Sequence, residues 1–283
     1  MNKKIAHVIP DRLYLKWVYR LKTGKKLDLR NPEEFNEKIQ WLKLYNRKPE
    51  YTGLVDKYEM RKYVSRTIGD EHLVPLLGVW DSFDEIPFDT FPDEFVLKCT
   101  HDSGGHIICR DKSSFDIEKA REKITRSIAR KYFYVGREWP YKNVKPRIIA
   151  EEYLENGDEG LYDYKVWCFN GKPRLVQYMS GRLHKTYDAF YDTDWNRVDT
   201  THAYETLYGN AKKPECLEKL LKLSEKLAKD IPFARTDFYI LEDSRILAGE
   251  ITLFPSAGFK DFMPDEMNKK LGEMIDLSCV ELM

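Results

Sequence analysis

The chain has 283 residues, enough for one large domain or two lobes around a sizeable core. Its 47 Lys and Arg balance 47 Asp and Glu, so net charge excludes both a general nucleic-acid binder and an acidic tail, and only local clusters matter. No run approaches the roughly 18 apolar residues of a membrane span, "MNKKIAHVIP" lacks the apolar centre of a signal peptide, and five cysteines without CxxC or Cys/His spacing suit reduced thiols; the expectation is a soluble cytoplasmic protein without disulfides.

The first 55 residues read as helical. In "DRLYLKWVYRLKTGKK", Leu13, Trp17 and Leu21 recur at helical spacing among Arg12, Lys16, Arg20 and Lys22. That stripe is expected to pack on the core; the alternative is an anionic membrane near lipid-linked glycans. "NPEEFNEKIQWLKLYN" predicts a second helix, capped by Asn31, with Pro32 in its first turn and Phe35, Ile39 and Leu42 buried. "LVDKYEMRKYVSRTIG" predicts a third, ending at a glycine. Strands "EFVLKC" and "HIICR" then flank "THDSGG", and the helix "DIEKAREKITRSIARKYFY" follows. After a loop come three strands, "RIIAEEYL", "YDYKVWCFN" and "RLVQYMS", the last two joined through the turn "NGKP". "PECLEKLLKLSEKLAKD" is amphipathic, with Leu217, Leu220, Leu221, Ser224 and Leu227 on one side. Hairpins interleaved with helices, without regular βαβ alternation, predict an α+β fold with largely antiparallel sheets.

The last hairpin, "RTDFYILEDSRILAGEIT", carries an acid in each strand. If Glu242 to Arg245 form the loop, Leu241 faces Ile246 and Asp237 falls opposite Glu250. Arg235, Asp237, Glu250 and Thr252 then share one face, and Phe238, Ile240, Leu247 and Ile251 share the apolar one. Opposed carboxylates repel by roughly 0.2 to 1 kcal/mol when exposed. Arg235 placed between them, or a hard divalent cation, relieves the repulsion equally well on this evidence.

Other segments carry chemistry less specifically. Lys98 ends an apolar strand just before Ser103, Gly104 and Gly105, where the backbone can turn several N–H groups toward phosphate oxygens or simply close a hairpin. His101 and His106 flank that loop without a third metal ligand. Glu151 and Glu152 are either a solvated strand end or the start of a base-reading hinge that continues through Tyr153 and Leu154. Asp163 and Lys165 share a strand face, with Arg182 just past the partner strand.

The order of these features resembles the ATP-grasp superfamily over about residues 54–260. The N-terminal third, with "EFVLKCTHDSGGHIICRDKSSFD", closely resembles the TupA-like ATP-grasp family, named for teichuronopeptide biosynthesis and found in surface-polysaccharide clusters. That resemblance implies an ATP-grasp fold of two α+β lobes clamping ATP: a helical extension over 1–55, a first lobe with a glycine-rich lid over 56–150, and a second over 151–283. It implies that Lys57 and Lys98 hold phosphates and that His101, Ser103, Gly104 and Gly105 belong to the lid. It makes Glu151, Glu152, Tyr153 and Leu154 the adenine hinge and Asp163 with Lys165 a version of the D-x-R-V strand in which lysine replaces arginine. Arg182 would meet the transferred phosphoryl and Arg235 the tetrahedral intermediate, with Asp237, Glu250 and Thr252 as Mg2+ ligands. Thr252 stands where the superfamily has asparagine, a stronger ligand.

The implied activity is a carboxylate–amine ligase that uses ATP and Mg2+ to couple an amino acid, or a similar carboxylate, to an amino-sugar or peptide acceptor of a surface or capsular polymer. "SAGF" after Pro255 is placed to hold the donor carboxylate, and acceptor chemistry is expected in the N-terminal third and in residues 183–210. Two alternatives compete: a glycosyltransferase using Asp192 and Asp194 as a DxD motif, and a phosphotransferase using the same ATP site. No nucleic-acid partner is expected, peripheral membrane contact is an open alternative, and oligomeric state is not legible.

Overall fold

A computed structural model describes residues 8–154, 161–181 and 185–280. Helix α1, Asp11–Thr23, ends in the left-handed Gly24. Its buried side is Tyr14, Leu15 and Tyr19, packed on Leu27 and Leu29. Leu13, Trp17 and Leu21 lie on the opposite side, in solvent, which overturns the expectation that they face the core. The segment is apolar at two sets of positions, and tertiary contacts with Trp41, Leu44 and Phe259 select the other one. Helix α2, Phe35–Tyr45, buries Phe35, Ile39 and Leu42 as expected, but its cap is Glu34, locked in a reciprocal capping box with Glu37. Asn31 lies outside it, its amide held by Asp28.

The third expected helix is two. Helix α3, Tyr51–Val55, stops at Asp56, whose backbone is extended and whose carboxylate accepts from the amides of Tyr58 and Glu59. Helix α4, Glu59–Ile68, starts there and ends at Gly69. Lys57 therefore sits in a break between helices, where its side chain leaves the helical surface.

The smaller sheet contains β1, Leu76–Trp80; β2, Phe95–Cys99; β3, His106–Cys109; and β4, Ile148–Glu152, in the order β1-β4-β2-β3. Helix α5, Ile117–Ile128, covers it through Ala120 and Ile124 against Phe95, Leu97 and Ile148. The short α6, Phe133–Gly136, follows. The larger sheet is built from β5, Asp163–Phe169; β6, Lys172–Ser180; β7, Tyr187–Tyr191; β8, Arg197–Val198; β9, Glu205–Thr206; β10, Phe233–Ile240; and β11, Ile246–Thr252. Its order is β11-β10-β5-β6-β7-β8, with β9 beside β7 in a parallel pairing. Helix α7, Leu217–Leu227, buries Leu217, Leu220, Leu223, Ser224 and Leu227; Leu221 is only half-buried. Helix α8, Glu266–Glu273, lies against α2, with Leu271 in the same core as Phe35.

The main core joins α2, α4 and α7 to the larger sheet around Trp167, Phe233 and Phe262. A smaller cluster of Val74, Leu241 and Leu247, with Leu154 and Tyr239 against it, lies where the chain leaving α4 meets the β10–β11 hairpin. A bridge between Leu73 and Ala248 closes the same junction.

Candidate active site

The β10–β11 hairpin keeps Asp237 opposite Glu250, but by an unexpected route. The turn closes one residue early: the Leu241 amide donates to the Arg245 carbonyl at 3.0 Å, and Ser244 is left-handed at φ 66°. Ile240 consequently pairs with Ile246. A bulge at Gly249 restores the register, because a side chain there would come within 3.1 Å of the Tyr239 ring. The bulge also sends Leu247 to the junction cluster rather than to the face of Ile251, correcting the alternation read from the sequence.

Three adjacent strands then align the side chains singled out in the sequence in rows. Lys165 pairs with Asp237 and Asp237 with Glu250; one row along, Trp167 pairs with Arg235 and Arg235 with Thr252. Arg235 Nε donates to Asp237 Oδ1 at 2.7 Å, and Nη2 reaches Asp237 Oδ2 at 2.7 Å and Glu250 Oε1 at 3.2 Å. The Lys165 ammonium meets the same Oδ2. Thr252 accepts from Arg235 at 3.2 Å and donates to Glu250 Oε1 at 3.1 Å. Asp237 is thus buried between two cations, whereas the Glu250 side chain is 42% exposed. Burial works against the Glu250 charge, but Lys165, Arg235 and Lys57 outweigh it and hold the carboxyl at about 2. Burial likewise opposes the charges of Lys165 and Arg235, and their acidic neighbours raise both above their ordinary values.

The smaller sheet supplies the facing group. Lys98 on β2 donates to Glu151 Oε2 at 2.5 Å, and Arg61 of α4 donates to Glu151 Oε1 at 2.9 Å. Burial disfavours the Lys98 charge; Glu151 overcomes this, with Tyr239 and Glu250 of the other sheet adding to it, and the ammonium is held above its usual range. Glu151 is therefore a buried orienting carboxylate rather than a solvated strand end, while Glu152 is exposed. Tyr153 accepts from Arg110 at 2.7 Å, and Leu154 packs in the junction cluster.

Lys57 bonds the Asp102 carbonyl at the base of the glycine loop. Ser103 is exposed, Gly104 is left-handed at φ 84° with open space around it, and a side chain at Gly105 would collide with Asp102 and Ser127. His101 points away from the loop: Nε2 donates to the carbonyls of Ser127 and Arg130 at 3.1 and 3.2 Å, so the ring pins the loop to the end of α5. Burial lowers its pKa and favours the neutral imidazole, whose Nε2–H tautomer makes both bonds.

The family described as TupA-like ATPgrasp matches residues 37–276. The chain belongs to that family. Solved structures with similar folds include an L-amino acid ligase from Bacillus licheniformis, 11% identical with a TM-score of 0.47 over 88% of this chain and 56% of the other. A RimK domain ATP-grasp protein from Sphaerobacter thermophilus is 12% identical, with a TM-score of 0.46 over 82% of this chain and 69% of that one. D-alanine–D-alanine ligase from Bacillus anthracis, solved with ATP, is 17% identical, with a TM-score of 0.41 over 78% and 63%. The chain spans 63% and 56% of the lengths of these two ligases. No protein of curated function matches the chain.

In this TupA-like ATP-grasp protein, the described site residues fall into two groups. Lys165, Arg235, Asp237, Glu250 and Thr252 form one bonded network, and Asp163, also buried, lies one row from it opposite Tyr239. Lys98 with Glu151, and Lys57 with the glycine loop, form the other. Arg182 lies outside the described residues. The DxD pair takes no part: Asp192 accepts from the amides of Asp194 and Asn196 at 2.9 and 2.8 Å, a turn between β7 and β8 at the far edge of the sheet.

Several buried or part-buried polar neighbours of these groups were not singled out from the sequence. Arg61 looks in sequence like any helix-surface cation. Gln177 accepts from Trp167 at 3.3 Å and donates to Asp188 at 2.7 Å, and burial pushes the Asp188 carboxyl up to about 6. His202 stacks on Phe262 at 4.4 Å and is pushed down to about 3 by burial, with Arg235 adding to the effect. No local motif marks these residues, because contacts between segments distant in the chain bring them to their partners.

Proposed function

We propose that the protein is an ATP-dependent carboxylate–amine ligase, acting in the cytoplasm, that joins an amino acid or similar carboxylate to an amine of a surface or capsular polysaccharide precursor. The observation that carries this reading is the row Lys165, Asp237, Glu250 on one sheet, with Lys98 paired to Glu151 on the other sheet and Lys57 at the glycine loop both within electrostatic reach of Glu250.

The donor set fits Mg2+. Two carboxylates and a hydroxyl are hard oxygen ligands, and Mg2+ is commonly held by one or two carboxylates together with substrate phosphates and water. Asp237 and Glu250, with Thr252 beside them, would hold the ion in exchange for the Arg235 guanidinium that bridges the two acids here, and the ion would neutralise charge developing on the phosphoryl oxygens.

The chain's own groups account for the remaining steps. Lys57, Lys98 and the amides around Gly104 would hold the ATP phosphates, with Glu151 and Arg61 fixing the Lys98 ammonium. Glu151 to Leu154 would border the base, with the junction cluster of Val74, Leu241 and Leu247 against it. The donor carboxylate takes the γ-phosphoryl, giving an acyl phosphate and ADP; the amine then attacks the acyl carbon, releasing phosphate and a proton. Arg235 would stabilise the oxyanion, and Lys165 would hold the Asp237 carboxylate in orientation. The turn at Ser256 and Ala257, both left-handed at φ 49° and 51°, is fixed by Gln40 and Lys43 on its carbonyls and would border the donor.

Hydroxylamine trapping tests the reading. With Mg-ATP and the right amino acid, the acyl phosphate is expected to accumulate as a hydroxamate in step with ADP. Phosphorylated acceptor without hydroxamate would make the protein a phosphotransferase.

A further inference from the structure

Helix α1 is two-sided. One side closes the N-terminal core with Tyr14, Leu15 and Tyr19. The other repeats a basic–apolar pair every four residues: Arg12-Leu13, Lys16-Trp17, Arg20-Leu21. At about 100° per residue this spacing makes two parallel strips along about 14 Å of helix, three cations beside three apolar side chains. Leu13 is 60% exposed, Trp17 46% and Leu21 64%, and all three cations are exposed. Val8, 82% exposed, precedes the helix. Most exposed large apolar residues elsewhere in the described chain stand singly, which needs no explanation; a stripe of three does.

Charge identifies the occupant. The only acid of α1 is Asp11, and its carboxylate is engaged by Arg47 at 2.8 Å and Arg137 at 3.2 Å. The strip is therefore purely cationic in a chain whose total charge is zero. A second copy docking here would bring two such strips together with no α1 carboxylate to meet them. A soluble polyanion would satisfy the cations and leave Leu13, Trp17 and Leu21 in water. A lipid surface with anionic headgroups offers a phosphate plane and an apolar phase directly beneath it, and Trp is favoured at that boundary.

We propose that the outer face of α1 is a docking surface for an anionic lipid membrane. The helix lies in the headgroup plane with Leu13, Trp17 and Leu21 inserted and Arg12, Lys16 and Arg20 on lipid phosphates. No described helix is long and apolar enough to cross a membrane, so the contact is peripheral. This proposal is independent of the ligase reading, since it uses none of the site residues.

Vesicle co-sedimentation of the full chain tests it. The vesicles are phosphatidylcholine alone, or phosphatidylcholine with phosphatidylglycerol at about 7:3. Binding is expected only to the anionic vesicles and should weaken with salt. Leu13→Ser/Trp17→Ser/Leu21→Ser and Arg12→Gln/Lys16→Gln/Arg20→Gln should each weaken it on the order of 100-fold. Both triple variants should keep the wild-type melting temperature, because every altered side chain is exposed. Absence of binding to the anionic vesicles, or binding that survives either triple variant, would overturn the proposal. So would a soluble dimer that Trp17→Ser dissociates, with no vesicle binding.

Discussion

Asp237 and Glu250 face each other across β10 and β11, and one guanidinium nitrogen of Arg235 reaches both carboxylates. The repulsion expected of the pair is thus relieved by protein cations, Arg235 and Lys165, in the molecule as described. The same arrangement leaves Glu250 the more accessible acid. Glu250→Gln should therefore abolish ADP release while leaving a folded protein, at a stability cost of about 1 kcal/mol, because Arg235, Lys165 and Lys57 lose a partner charge that is only partly screened by solvent. Parallel ADP assays and urea denaturation check this; wild-type turnover in the variant would remove the metal assignment.

Lys165 behaves differently because it is buried on Asp237. Lys165→Met leaves that carboxylate to Arg235 alone and should cost about 2 to 3 kcal/mol. Lys165→Arg keeps the charge and should lose less. Urea midpoints of the two variants give the comparison, and a Met variant as stable as wild type would show that Arg235 suffices.

Lys43 is fully buried, with its ammonium on the oxygens of Gln40, Gly136 and Ala257 at 3.0, 2.7 and 2.6 Å. Burial pushes it down and pushes nearby Glu138 up, each partly held by the other. Lys43→Met should cost about 3 kcal/mol by stranding those acceptors and leaving Glu138 without a compensating charge. Adding Glu138→Gln should recover part of the loss. A double-mutant cycle measures the coupling, and strict additivity would mean that the two charges do not interact.

His202 sets a pH dependence. Its pKa falls from 6.5 to about 3 on folding, because burial next to Phe262 and Arg235 disfavours the cation. Between those values the unfolded chain binds the extra proton, so this group's contribution to stability is lost as pH falls from 6.5 toward 3. His202→Gln should reduce the acid-side slope of stability against pH by about one proton. Denaturant titrations between pH 7 and about 4 test this; an unchanged slope would mean that His202 titrates alike in both states.

The sequence carried the α+β class, most strands and the opposition of Asp237 and Glu250, because hydrophobic alternation and turn chemistry are local signals. The opposition survived for a reason not visible there: an early turn and the Gly249 bulge cancel. β1, β7 and α8 escaped notice, since their apolar residues are short runs flanked by polar ones. The face of α1 was misassigned because the segment carries two apolar stripes, and only packing on Trp41 and Phe259 chooses between them. Arg61, Asp188 and His202 became visible only once long-range pairing was known.

The most direct test of the central claim is ADP release with Mg-ATP across twenty amino acids, each with and without amino-sugar acceptors, with Glu250→Gln as the blank. The account predicts release that depends on one amino acid or a few related ones and disappears in the variant. Absence of ADP throughout, with thermal protection by UDP-sugars and none by Mg-ATP, would contradict it.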